Sequence, residues 1–191
     1  MSIRAAFLIL FGTAILAASA SCSGSTEPTA TTRPTLPARP MELRLDGITD
    51  VCHMLTLSQH EQLKVSNGST DQGAYQYGFN IGPGCGWPGR TLSPMVTYGA
   101  RLVLNHGAAA SQGAEQPRVV GGFAAVLTAA PGFDPTYHCD LMIDVAPDQT
   151  LMAGFDNPTK DFPGMNRQLA CDKAQQLADM LLTNLRTRLG R

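Results

Sequence analysis

The most regular pattern in the chain is the alternation from Cys139 to Val145. Cys139, Leu141, Ile143 and Val145 fall on one face, and Asp140, Met142 and Asp144 on the other, which predicts a half-buried strand. Ala146-Pro147-Asp148-Gln149 has the composition of a turn, so Thr150–Phe155 reads as the second arm of a hairpin. Further strands are expected at Cys85–Trp87, within Leu92–Leu104 with a bend at Gly99, and at Val119–Leu127. Gly121-Gly122 interrupts the last of these, as a bulge or a close backbone approach would. Two segments change to helical spacing. Thr56-Leu57-Ser58-Gln59 forms a capping box that starts a short helix over Leu57–Lys64. Near the C-terminus Ala174, Leu177, Leu181, Leu185 and Leu189 recur as one apolar stripe, predicting a helix over Asn166–Leu189 stopped by Gly190. Ser66–Gly73 and Asn105–Pro117 read as loops, and the sequon-like Asn67-Gly68-Ser69 reads as turn chemistry. The expected fold is α+β: one domain, with an antiparallel sheet of about 4–6 strands carrying a short N-terminal and a long C-terminal helix.

The first forty residues follow other rules. Arg4 and the free amine precede an uncharged, mostly apolar run, Ala5–Ala18. At about 14 residues it is shorter than the roughly 17–25 that span a bilayer as a helix. Small residues follow, then Cys22, which is the plan of a secretory signal peptide over 1–21. A cysteine at the cleavage point resembles the bacterial lipobox, whose thiol is acylated. Ser19 stands where that motif usually has Leu, Val or Ile. Ser23–Pro40 is rich in Ser, Thr and Pro and cannot bury a core, so 22–40 reads as a lipidated cysteine and an extended tether. At roughly 3 Å per residue it would reach on the order of 50 Å. The folded domain is then 41–191, on the extracytoplasmic face of a membrane.

Charge removes one class of partner. The chain has 14 basic and 15 acidic residues, and the leader contains only Arg4 of these. No basic stripe is present, so nucleic acid is not an expected partner.

The remaining cysteines, Cys52, Cys85, Cys139 and Cys171, are even in number and bound for an oxidising compartment, which points to two disulfides. Their wide spacing does not suit a zinc site. The sequential pairing, Cys52–Cys85 with Cys139–Cys171, ties each helix start to a strand and is preferred. The nested pairing, Cys52–Cys171 with Cys85–Cys139, stays open. Each sequential bridge would contribute roughly 3–4 kcal/mol by chain entropy.

Candidate chemistry is thin. Asp140 and Asp144 lie roughly 13 Å apart along a strand, too far for a carboxylate dyad, and read as solvated carboxylates. There is no G-x-S-x-G and no phosphate-binding loop. His53, His60 and His106 form no pattern with a nucleophile, and His138 reads as a lone solvated or core histidine rather than a metal ligand. Trp87 is expected to pack on a disulfide or the core. Met142, Met152, Met165 and Met180 are expected to fill core rather than line an apolar pocket. No catalytic residue, metal or cofactor is expected.

The motifs "VCHMLTLSQHEQL", "GCGW", "GGFAAV", "CDLMIDVAPDQTLMAGF" and "ACDKAQQLADMLLTNL" together resemble the LprB/LprC-like lipoproteins of actinobacteria over about Val51 to Leu189. The layout is also similar to the extracellular sensor domains of some actinobacterial Ser/Thr kinases, which carry two disulfides and a cleft. The first resemblance implies an envelope location and a lipid anchor, and no activity. Two function classes follow. One is a non-enzymatic lipoprotein that binds a small apolar ligand, a lipid or an envelope protein. The other is an envelope hydrolase or redox enzyme with an unrecognised site. A cleft of converging His, Asp and Ser side chains would favour the enzyme, and a dry apolar cleft the binding module.

Overall fold

A computed structural model describes residues 37–71, 80–91, 95–104, 116–128 and 132–189. The elements are a 3₁₀ turn at Cys52–Met54, α1 (Leu57–Leu63), β1 (Ser69–Asp71), β2 (Asn80–Pro88), β3 (Thr97–Leu104), β4 (Gln116–Val120), β5 (Phe123–Thr128), β6 (His138–Ala146), β7 (Gln149–Asp156) and α2 (Arg167–Arg188). The strands form one antiparallel sheet in the order β1-β2-β3-β7-β6-β5-β4. The α+β class is as the sequence predicts, but the sheet has seven strands rather than about 4–6.

The additional strands arise from two segments whose neighbours decide them. Gly121 and Gly122 both take positive φ, 55° and 85°, and Val120 pairs with Phe123. Two consecutive left-handed residues make the tight turn of a hairpin, so the segment expected as one interrupted strand is two strands, β4 and β5. Ser69–Asp71, inside the expected loop, pairs with β2 as an edge strand. Gly99 lies within β3 in unbroken pairing with β7, without the expected bend. The expectations for 72–79, 92–94, 105–115 and Gly190 lie outside the described residues.

One face of the sheet is closed by α2. Cys139, Leu141, Ile143 and Val145 of β6 point into this core with Leu151, Ala153 and Phe155 of β7 and Tyr98, Ala100 and Leu102 of β3. The helix contributes Ala174, Leu177, Leu181 and Leu185 from the predicted stripe; Leu189 is exposed at its C-cap. Asn166 caps its start by accepting from the Leu169 amide at 2.9 Å. The Thr56–Gln59 capping box forms in both directions, at 3.3 and 2.8 Å. Asn184 of α2 donates to the Met54 carbonyl and to Gln59, joining α1 to the terminal helix.

Both disulfides cross from a helix start to a strand: Cys52–Cys85 and Cys139–Cys171. Trp87 is buried on the same side as Cys85. A Cβ at Gly68 would lie 2.2 Å from Cys85 Sγ and 2.8 Å from Trp87 Cδ1, so only glycine fits over the bridge and the indole. Met142 and Met152 pack with Val103 and Val126 in a small cluster on the second face, and Met165 and Met180 pack on the main core.

The segment entering the domain is held near the β6–β7 turn. Leu43 donates its amide to the Val145 carbonyl at 2.8 Å, and Gln149 accepts from the Leu45 amide at 2.7 Å. Arg39, in the range read as tether, binds Asp144 at 2.8 Å. Asp144 is therefore a paired carboxylate and not a solvated one. Among the described residues no helix is long and apolar enough to cross a membrane.

Candidate functional site

Register places small and charged residues from five strands in one row on the second face. Ser69 opposes Gly86, Gly86 opposes Gly99, Gly99 opposes Gly154, and Gly154 opposes Asp140. Three adjacent glycines leave a furrow across β2, β3 and β7 where side chains would otherwise stand. On one side is the row of Thr97, Asp156 and His138. On the other is the row of Arg101, Met152 and Met142. The groove so formed has a volume of about 420 Å³, at the small end of ligand sites.

The three glycines differ in why they are glycine. None takes a positive φ. A Cβ at Gly154 would lie 2.2 Å from Asp140 Oδ1, because the Asp140 carboxylate folds over that backbone. At Gly86 and Gly99 the nearest atoms would be 3.9 and 4.0 Å away, which is ordinary contact. Among the described residues neither backbone strain nor packing requires glycine at these two positions, where the strands give up β propensity and side-chain burial.

One wall of the groove is a charged cluster. His138 Nε2–H donates to Asp140 Oδ2 at 2.9 Å, and Nδ1 lies 3.5 Å from Asp156 Oδ1 without a hydrogen bond. The side chains of His138, Asp140 and Asp156 are 9%, 10% and 26% exposed. Burial favours the neutral imidazole, but the two carboxylates outweigh it and raise the His138 pKa to about 9. The ring is thus charged at neutral pH, with both nitrogens protonated. Phe133 stacks on it, centroid to centroid at 4.3 Å, and stays 45% exposed on its own account. The loop carrying Phe133 is held by Asp134, whose carboxylate accepts from the Thr136 amide at 3.0 Å and whose carbonyl accepts from the Tyr137 and His138 amides. Lys160 binds the other oxygen of Asp134 at 3.0 Å.

The arrangement limits the chemistry. The two carboxylates sit at opposite nitrogens of one ring and do not converge on a common point, and no group of three metal-ligating side chains occurs among the described residues. Ser69 stands four strand spacings from Asp140, roughly 19 Å, and Thr97 two spacings from His138, roughly 10 Å. Neither hydroxyl forms a nucleophile–base pair with the histidine, which needs about 3 Å between heavy atoms. The described lining of the groove includes Arg101, His138, Asp140 and Asp156, so it is not the dry apolar cleft a lipid tail would want.

The sequence reading of His138 and Asp140 is corrected here. His138 is not lone, and Asp140 is buried and bonded rather than solvated. The spacing His138-x-Asp140 on a strand already placed both on one face. Asp156, Phe133, Arg101 and the glycine row carry no local signal of their own. The four disulfide cysteines lie outside this chemistry, apart from the backbone of Cys85 at the groove floor. Cys22 lies outside the described residues.

No curated protein and no solved structure matches the chain. A family described as "Protein of unknown function (DUF3558)" matches residues 12–184, most of the chain, and the protein belongs to that family.

Proposed function

We propose that this protein is a cell-envelope lipoprotein, anchored through acylated Cys22, whose extracytoplasmic domain binds a small polar ligand in the groove over Gly86 and Gly99. It acts as a binding module rather than an enzyme. The observation that carries the reading is the pair of open glycines. They hold room in a sheet face where an added Cβ would make only ordinary contact with the described residues, beside a fixed set of charged groups. The signal peptide, the polar tether and the two disulfides support the envelope location. Arg39 meets β6 at Asp144, while the cluster begins at His138, roughly 20 Å back along the same strand.

The enzyme alternative has one observation in its favour, a histidine paired with carboxylates in a cleft. Against it stand the distances to Ser69 and Thr97, and a ring held protonated and so unable to act as a base near neutral pH. Native mass spectrometry of protein purified from its own host tests the binding reading. A co-purifying ligand in the wild type, absent from Gly99→Val, is expected. Wild type and variant both free of any adduct would overturn it.

A further inference from the structure

The ligand's chemical class can be read from what surrounds the furrow, an inference that rests on the groove being a binding site. We propose that the occupant is a neutral sugar ring, lying over the bare backbone of Gly99, with hydroxyls on Asp156, Thr97 and His138 Nδ1 and a C–H face against Phe133.

Three independent features converge on this. The first is charge. Among the described residues the ionisable side chains lining the groove are of both signs, Arg101 and His138 with Asp140 and Asp156, and low net charge leaves no long-range field to draw an ion in. A neutral ligand is matched and a strongly charged one is not. The second is hydrogen bonding. His138 Nδ1 makes no hydrogen bond and has only the longer 3.5 Å ion pair with Asp156 Oδ1, on a side chain 9% exposed, at the groove wall. A buried donor left unsatisfied costs the protein free energy unless something completes it. Beside it Asp156 offers a partly exposed acceptor, and Thr97 a hydroxyl that donates or accepts. A polyol, whose every hydroxyl does both, can meet all three at once. The third is the apolar component. Phe133 keeps nearly half its surface open at the rim although its other face is committed to His138. The floor is glycine backbone, which lets a flat ring approach more closely than any side chain would. The volume of about 420 Å³ accommodates a ring of this size rather than a long chain.

A free saccharide and the terminal unit of a glycan present the same chemistry, and the experiment separates them. Detergent-solubilised full chain is examined by saturation-transfer NMR with glucose, galactose, mannose, arabinose and N-acetylglucosamine, with citrate and putrescine as charged comparators of similar size. In parallel the protein is sedimented with insoluble mannan and with peptidoglycan sacculi. At least one neutral sugar or one polysaccharide is expected to bind, with saturation strongest at ring C–H protons. Gly99→Val and Phe133→Ala should each weaken it at least tenfold, while Val119→Ser, on exposed β4, should leave it within twofold. Free-sugar binding without sedimentation assigns a saccharide, and sedimentation alone assigns a glycan end. Citrate or putrescine binding that is lost in Gly99→Val, with no sugar bound, would overturn the sugar assignment and leave the groove as a site. A co-purified ligand that is not a saccharide would do the same. Sugar binding indifferent to both groove variants would also overturn it. Phe133 is exposed, so its variant remains a test even where the valine disturbs the sheet.

Discussion

The same methyl group added at two adjacent glycines should act with opposite sign. Gly99 and Gly154 face each other across β3 and β7. Replacing a strand glycine by alanine removes unfolded-chain freedom worth roughly 0.5–1 kcal/mol, provided the new Cβ fits. At Gly99 it fits, since the nearest atom would be the Cys85 carbonyl oxygen at 4.0 Å. Gly99→Ala should therefore raise the thermal midpoint by roughly 1–4 °C. At Gly154 the Cβ would stand 2.2 Å from Asp140 Oδ1. The carboxyl group must shift, and its other oxygen is the one that accepts from His138 at 2.9 Å, so the shift strains that bond. A hydrogen bond to a charged partner contributes roughly 1.5–3 kcal/mol, so Gly154→Ala should lose a net of about 1–2 kcal/mol despite the entropic gain. Thermal unfolding followed by circular dichroism at pH 7 measures both. Imidazole ¹⁵N NMR of His138 reports whether Asp140 has let go. Equal stabilisation by both alanines would refute the account of Gly154. A loss at Gly99 would show that glycine there serves the fold and would remove the main reason for calling the furrow a site.

Other consequences are more direct. The His138 pKa of about 9 lies above its unfolded value near 6.5, so its contribution is complete below pH 6.5 and disappears as pH rises toward 9. That is about 3 kcal/mol at most, and denaturant melts of His138→Asn should lack this alkaline slope. Buried His60 has the opposite sense: burial lowers its pKa, so stability should fall below about pH 6.5, and less so in His60→Gln. Leu181→Ala, at a fully buried position against the sheet, should cost roughly 2–5 kcal/mol in urea unfolding, and an unchanged midpoint would deny that the stripe is core. Cys22→Ala should move the protein from the membrane to the soluble fraction, and retention on the membrane would sink the lipoprotein reading.

What the sequence makes legible is what neighbours in the chain decide. The alternation through Ile143, the Thr56–Gln59 box and the leucine spacing of α2 are local, and each appears in the structure within a residue or so of its expected bounds. Gly121-Gly122 shows where local information ends. A glycine pair between short apolar runs has the same composition as a bulge or a hairpin turn. Only the pairing of Val120 with Phe123 decides between them. The strand order is also beyond reach, because inserting β7 between β3 and β6 depends on contacts between residues far apart in sequence.

The site fails to show in the sequence for the same reason, and the failure is informative. His138-x-Asp140 is visible as two polar residues on one face of β6, and polar residues on the face of an antiparallel sheet turned away from its core are ordinarily solvated. They are buried here because Asp156 arrives from β7 and Phe133 from the loop before β6. Likewise Gly86, Gly99 and Gly154 are three unrelated glycines until register aligns them. A charged cluster assembled from three chain segments, set beside a furrow that packing does not require, is what a ligand site looks like when no single motif encodes it. The core on the other face needs only apolar residues of about the right size. This face needs particular residues at particular registers, and that difference separates the part of the molecule that keeps it folded from the part proposed to do its work.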